Sequence, residues 1–281
     1  MTEHVRAEAD ALVIRGVDDV GVAGVVVGAA TDVGRLRTIN EDGYLAISPA
    51  FVVVDGMGGH AAGRMATQVA LDSLYSLAGT TVTDVETVVR AVKAAQEAIV
   101  AIPSHAAYLP GATIAGVVLA WMEDDHGATR PTWIIFNIGD ARVYLLRDDM
   151  LSQVTRDHSR VQILVETGEI TPEQARHDPR RNVVTRALGG GIADSAVPDL
   201  YSVPVAAGDR LLICSDGLSD ELDDEAIATV LAAGYTAQRT AELLVAASLE
   251  GGGHDNTTSV VVDSIEVPTT APATVPAQEA Q

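Results

Sequence analysis

The chain has 281 residues, 47% of them apolar and 4% aromatic, and its 18 basic and 39 acidic side chains leave a net charge of −21. That apolar content is ample for a buried core and excludes a wholly disordered chain. So acidic a surface repels phosphate backbones and anionic membranes, and few aromatics are present for base stacking, so no nucleic acid and no membrane is expected as a partner.

Residues 1–21 mix acids with isolated apolar residues and read as a flexible acidic arm. The start, Met1-Thr2-Glu3-His4, lacks the basic-then-apolar pattern of a secretory signal. The apolar stretch at 20–30 is short and glycine-interrupted, whereas a spanning helix needs ~20 residues. Phe51-Val52-Val53-Val54 is a β-branched run ending at Asp55-Gly56, the pattern of a buried strand entering a tight turn. Two amphipathic helices follow. One carries Ala66, Ala70, Leu74 and Leu77 on one face, and the other carries Val85, Val88, Val89, Val92 and Ile99 behind a polar start at Asp84.

Strands are predicted at 113–120, 133–138 and 142–146, then a helix over 159–167 and a strand over 210–215. Helices over 223–231 and 236–249 precede a last strand over 257–262. From Val267 the Pro, Thr, Ala and Gln composition predicts a disordered tail over 267–281. Strands and helices do not alternate regularly, so the pattern predicts an α+β fold with antiparallel sheets, one domain over 22–266. Cys214 is the sole cysteine, which excludes an internal disulfide and a thiolate metal cluster. Its neighbours Leu211, Leu212 and Ile213 make it a buried strand residue, and a reducing cytoplasm is the expected location.

The informative pattern is acidic. Asp55, Asp140 and Asp216 each end an apolar strand beside a glycine, and Asp255 lies in Gly251-Gly252-Gly253-His254-Asp255-Asn256 before the last strand. One aspartate at a strand end is ordinarily a turn residue. Four suggest oxygen ligands for hard divalent cations such as Mg²⁺ or Mn²⁺, and the flanking glycines leave backbone carbonyls accessible. Without a cation, converging carboxylates would raise one another's pKa. In Arg37-Thr38-Ile39-Asn40-Glu41-Asp42 the arginine is a charged fork suited to phosphate oxygens, and Glu41 and Asp42 could hold waters around a metal.

Taken in order, several stretches resemble the bacterial branch of the type 2C metal-dependent serine/threonine protein phosphatases. They are Thr31 to Asp42, Val54-Asp55-Gly56-Met57-Gly58-Gly59-His60, Gly111-Ala112-Thr113 and Asn137 to Tyr144. Further on come Thr155-Arg156-Asp157-His158-Ser159, Thr185 to Gly189, Ser215-Asp216-Gly217-Leu218 and His254-Asp255-Asn256. The resemblance implies two stacked antiparallel sheets flanked by helix pairs, with a binuclear Mn²⁺ or Mg²⁺ centre at one edge. It implies that Asp55 bridges both ions, Gly56 binds through its carbonyl, and Asp216 and Asp255 complete the ligands. Asp140 with Asp216 would match a third metal site. Arg37 would hold the substrate phosphate, and His60 would either protonate the leaving group or order its loop.

The segment at about 157–186 corresponds to the mobile flap of bacterial members. Ala141 and Ala112 stand where the family usually has a hydroxyl residue. Implied partners are phosphorylated proteins, including Ser/Thr kinases and their substrates, met by a monomer. The rivals are a regulatory pseudophosphatase, a phosphatase dedicated to one sigma-factor regulator, and a hydrolase of small phosphomonoesters.

Overall fold

The computed structural model describes residues 12–15, 24–59, 61–103, 109–124, 126–192 and 197–265. Its strands, in chain order, are β1 (Leu12–Arg15), β2 (Val25–Asp32), β3 (Asp42–Ile47), β4 (Ala50–Met57), β5 (Gly111–Glu123) and β6 (Thr129–Ile138). Then follow β7 (Arg142–Arg147), β8 (Met150–Gln153), β9 (Leu188–Gly189), β10 (Asp199–Pro204), β11 (Arg210–Cys214) and β12 (Thr257–Ser264). The helices are α1 (Ala61–Leu74), α2 (Val85–Val100), α3 (Arg160–Glu166), α4 (Pro172–Arg176), α5 (Asp216–Ser219), α6 (Asp224–Leu231) and α7 (Ala237–Gly251).

One sheet runs β1-β3-β4-β5-β6-β10, with β9 added at β5; the other runs β2-β12-β11-β7-β8. All pairings are antiparallel except β1 with β3, so the expected α+β class with two antiparallel sheets holds.

The sheets are layered between helices, and strand β4 shows why its sequence is apolar without alternation. Phe51 and Val53 pack with Trp133, Val143, Ile213 and Val260 between the two sheets. Val52 and Val54 face the other way and pack with Ala66, Leu74, Val88 and Ile99 of α1 and α2. A strand covered on both faces needs apolar residues at every position. The second sheet repeats this on its outer side, where Leu212, Cys214 and Val261 meet Leu231, Ala241 and Leu244 of α6 and α7. Cys214 is buried as expected, and burial pushes its thiol up to about 12.

Local signals fixed several ends. Asp84 caps α2 by accepting the Thr87 N–H at 2.7 Å. Ser159, Asp223 and Thr236 cap α3, α6 and α7 in the same way. On α2, Val89 is only half-buried, and Ala91 and Ala95 complete the inward face instead. Helix α4, inside a segment read as loop, announces itself by a capping box between Thr171 and Gln174 with Pro172 in its first turn. Of the arm expected at 1–21, the backbone of Leu12–Arg15 pairs parallel to β3, and the rest lies outside the described residues. The tail expected at 267–281 also lies outside them.

Candidate metal centre

The register of β3 and β4 sets Asp42 opposite Asp55. Asp42 is held from the other sheet: its Oδ2 accepts the hydroxyls of Ser215 and Thr258, both at 2.7 Å. Ser215 immediately precedes Asp216, so one hydroxyl contact fixes the end of β11 against the start of β3. Asn256 ties down the neighbouring loops. Its Oδ1 accepts the Glu41 N–H at 2.8 Å, and its Nδ2 donates to Val33 O at 2.9 Å and Ile39 O at 3.0 Å. That fastens Asp255 beside the loop carrying Arg37, whose Nη2 donates to Asp255 Oδ2 at 2.5 Å.

Glycine at position 56 has a packing reason. A Cβ there would fall 2.4 Å from Gly63 O and 2.6 Å from Thr67 Oγ1, because α1 lies directly on the strand end. Carbonyl access, the reason offered by the sequence, is therefore not needed to explain the glycine. A Cβ on Gly63 would in turn fall 2.4 Å from Glu41 Oε1, so the Glu41 side chain rests against the first turn of α1.

The electrostatics separate this edge from the rest of the molecule. Burial first, and then the charges of Asp42, Asp216, Asp140 and Asp255, hold the Asp55 carboxyl well above the usual range. Asp216 is raised likewise by burial and by Asp140, Asp220, Asp255 and Asp42. Burial pushes Asp42 up to about 6, against the pull of its hydroxyl partners. Burial and then Asp157 push Asp140 up to about 7.

Asp42 Oδ1 is buried and meets no hydrogen-bond donor among the described residues. Among those residues, no three His, Cys, Asp or Glu side chains already stand as a ready-made metal cage. The donors that face one another are nonetheless all carboxylate oxygens, the set that suits hard divalent cations rather than zinc or copper.

Asp140 follows Gly139, whose φ of +105° and 2.4 Å approach to Thr113 Cβ admit only glycine without strain. A cleft of about 560 Å³ opens beside Asp140 and Asp216, walled by Arg176 and Arg181 of the flap segment. A second cleft of about 500 Å³ contains Arg37, Gly217, His254 and Asp255, and the same two flap arginines border it. The flap touches the edge directly, with Arg181 Nε donating to Asp220 Oδ2 at 3.1 Å. His254 is exposed and pairs with Glu221 at 2.6 Å.

Arg37, Glu41, Asp55, Gly56, Asp140, Asp216 and Asp255, far apart in sequence, thus gather at one edge of the sandwich. His60 lies outside the described residues. In the sequence Asp42 stood with Glu41 as a holder of waters around a metal, Asp157 and His158 lay in a matching stretch with no role attached, and Asp220 carried no signal. Ala141 is buried between the sheets, where a hydroxyl would need a partner.

A four-layer sandwich with carboxylates converging at one edge defines a candidate metal-dependent hydrolase. The Protein phosphatase 2C model matches residues 38–251, and the chain belongs to that family. It is 37% identical over 243 residues to the serine/threonine protein phosphatase PstP of Mycobacterium tuberculosis, covering 85% of this chain and 45% of that protein. The chain therefore spans about half the length of that relative. It is 33% identical to the serine/threonine phosphatase stp of Listeria monocytogenes, over 83% of this chain and 93% of that one. The crystal structure of the PstP catalytic domain in complex with two manganese ions superposes with a TM-score of 0.75 at 35% identity, covering 86% of this chain and 99% of that one.

Proposed function

We propose that this chain is a divalent-metal-dependent phosphatase acting on phosphoserine and phosphothreonine in proteins. The observation that carries this reading is the convergence of buried Asp42 and Asp140 with half-buried Asp55 and Asp216, four carboxyls whose acidity desolvation and neighbouring acids suppress. Such an arrangement costs stability unless a cation neutralises it. The family relationship and the two manganese ions of the PstP catalytic domain support the same reading.

Asp55, Asp216 and Asp255 would hold two Mn²⁺ or Mg²⁺ ions together with the Gly56 carbonyl, and Asp140 with Asp216 a third. Bound there, the ions supply an activated water and positive charge for the phosphoryl oxygens. The chain's own part is to place and orient. Asp42, locked by Ser215 and Thr258, keeps the strand ends of both sheets in register. Arg37, which lines the second cleft, would offer its fork to the phosphate, and His60 would either deliver a proton to the leaving group or order its loop.

The test is phosphate release from phosphothreonine and phosphoserine peptides with Mn²⁺, Mg²⁺ or chelator, against nitrophenyl phosphate. Metal-dependent hydrolysis that prefers peptides is expected. Full activity after exhaustive chelation would remove the metal reading, preference for the small ester would favour a phosphomonoesterase, and metal binding without turnover a pseudophosphatase.

A further inference from the structure

His158 makes contacts that the proposed reaction does not use. The ring is buried, at 3% exposure, and it sits where the flap segment leaves the sheets. The Gly139 N–H donates to His158 Nδ1 at 3.0 Å, and the His158 N–H returns a bond to Gly139 O at 2.8 Å. Both polar groups of Gly139 are thereby bonded to His158, with Asn137 Nδ2 reaching the same carbonyl more loosely at 3.4 Å. An amide N–H can only donate, so Nδ1 accepts and the ring proton sits on Nε2.

With that proton Nε2 donates to Asp199 Oδ2 at 3.1 Å; Arg186 Nη1, itself only a donor, lies 2.8 Å from Nε2 and is linked to the ring through Asp199. The same Arg186 nitrogen donates to Asp199 Oδ1 at 2.6 Å, and Nη2 donates to Val197 O. The Thr185 N–H donates to His158 O at 2.7 Å, and Arg160 N–H to Val183 O at 2.8 Å, so both ends of the flap segment close on this point. Gly139 cannot adjust by changing residue type, since its φ is +105° and Thr113 blocks a side chain. Whatever moves His158 therefore moves the turn that aims Asp140.

We infer that His158 is a positioning residue that couples the far anchor of the flap, Arg186 with Asp199, to the Gly139–Asp140 turn. The inference rests on the phosphatase reading only for its kinetic consequence; the linkage itself is a property of the fold. Loosening the anchor loosens the Asp140 turn, although Arg186 makes no contact with it.

Two variants separate the two halves of the ring. In His158→Asn the side-chain oxygen stands in for Nδ1 and keeps the Gly139 bond while losing Asp199 and, through it, the link to Arg186. His158→Ala loses both. Arg186→Gln weakens the anchor without touching His158's bonds to Gly139.

The primary readout is amide hydrogen exchange of the metal-free protein over residues 137–142 and 156–187. Losing one buried hydrogen bond corresponds to a local opening about tenfold more frequent. His158→Ala is therefore expected to accelerate exchange in both segments. Arg186→Gln is expected to accelerate it in the flap and, through His158, at Gly139 and Asp140. His158→Asn should spare the Gly139 amide while the flap loosens.

The secondary readout is phosphopeptide turnover against Mn²⁺ concentration. His158→Ala and Arg186→Gln should need more Mn²⁺ for half-maximal rate and show lower kcat with KM nearly unchanged. Unchanged exchange at 137–142 in Arg186→Gln and in a folded His158→Ala would overturn the coupling and leave His158 an ordinary core histidine. A wild-type protein inert toward phosphopeptides would remove the phosphatase reading, yet the exchange measurements would still decide the linkage.

Discussion

Strand β11 has an aspartate at each end, Asp209 buried and Asp216 half-buried, and the two are treated in opposite ways. Asp209, just before the strand, is fully satisfied. Its Oδ2 accepts Trp133 Nε1 at 2.9 Å, the Ala206 N–H at 2.9 Å and Arg147 Nη2 at 2.7 Å, and its Oδ1 accepts Arg147 Nε at 2.6 Å. Asp216, just after the strand, faces Asp140, Asp220, Asp255 and Asp42 instead. The first carboxylate pins a β-turn and an edge arginine to the inter-sheet core. The second sits where like charges oppose one another, an arrangement with no stabilising purpose of its own. Burial of an acid is thus uninformative by itself, and what it faces separates scaffold from site.

The largest expected effect separates the two in activity. Asp216→Ala or Asp55→Ala should lower phosphopeptide turnover by at least about a thousandfold, since each removes a proposed cation ligand, while the metal-free protein stays folded. A variant keeping a tenth of wild-type turnover would misplace the centre. Asp209→Ala should do the reverse. Stranding buried Trp133 Nε1 and Arg147 costs about 3 kcal/mol in a urea titration, and turnover per folded molecule is preserved. A loss of turnover without a loss of stability would erase the contrast.

The pH dependence of stability sharpens it. The Asp140 carboxyl is held at about 7 in the folded protein against an ordinary value of 3.8. Between those values the folded form keeps a proton that the unfolded form has released. The favourable contribution is therefore intact below the unfolded pKa and is lost as pH rises through the folded one. Metal-free Asp140→Asn should accordingly exceed the parent in stability by a few kcal/mol at about pH 8 and match it at about pH 4, read from urea midpoints. An unchanged difference across that range would show that Asp140 is better compensated than its surroundings indicate.

Arg37→Ala should raise KM for every phosphoester roughly tenfold, with a smaller fall in kcat, because the contact to phosphate proposed for Arg37 would persist from ground state to transition state. Smallest is Asp84→Ala, an exposed acid with only a helix N-terminus to serve, which should cost about 1 kcal/mol and leave kinetics unaltered.

Much was legible in the sequence because it is written in short range. The continuous apolar run 51–54, the helix faces of α1 and α2, the polar start at Asp84 and the aspartates at strand ends all follow from periodicity and turn chemistry. Strands β1, β2, β3, β8, β9 and β10 were not expected, being short, glycine-interrupted or mixed in polarity. Helix α4, five residues long with no buried side chain, has no apolar face to signal it, and its capping box is its one local mark.

The residues alone determined the α+β class, the buried thiol at Cys214 and the list of acids that a divalent cation would want. Only the tertiary structure decided which acids meet. Asp42 enters the cluster because antiparallel register sets it across from Asp55, and because hydroxyls from the second sheet hold it there. Asp209 leaves it because Trp133 and Arg147, distant in sequence, reach it first. The glycine at position 56 likewise answers to the approach of α1, and the coupling through His158 exists only because β6, β10 and the flap ends share one corner. Side-chain chemistry is local and can be read in order along the chain. Charge repulsion and its relief depend on distances of a few ångströms, which the folded packing alone sets.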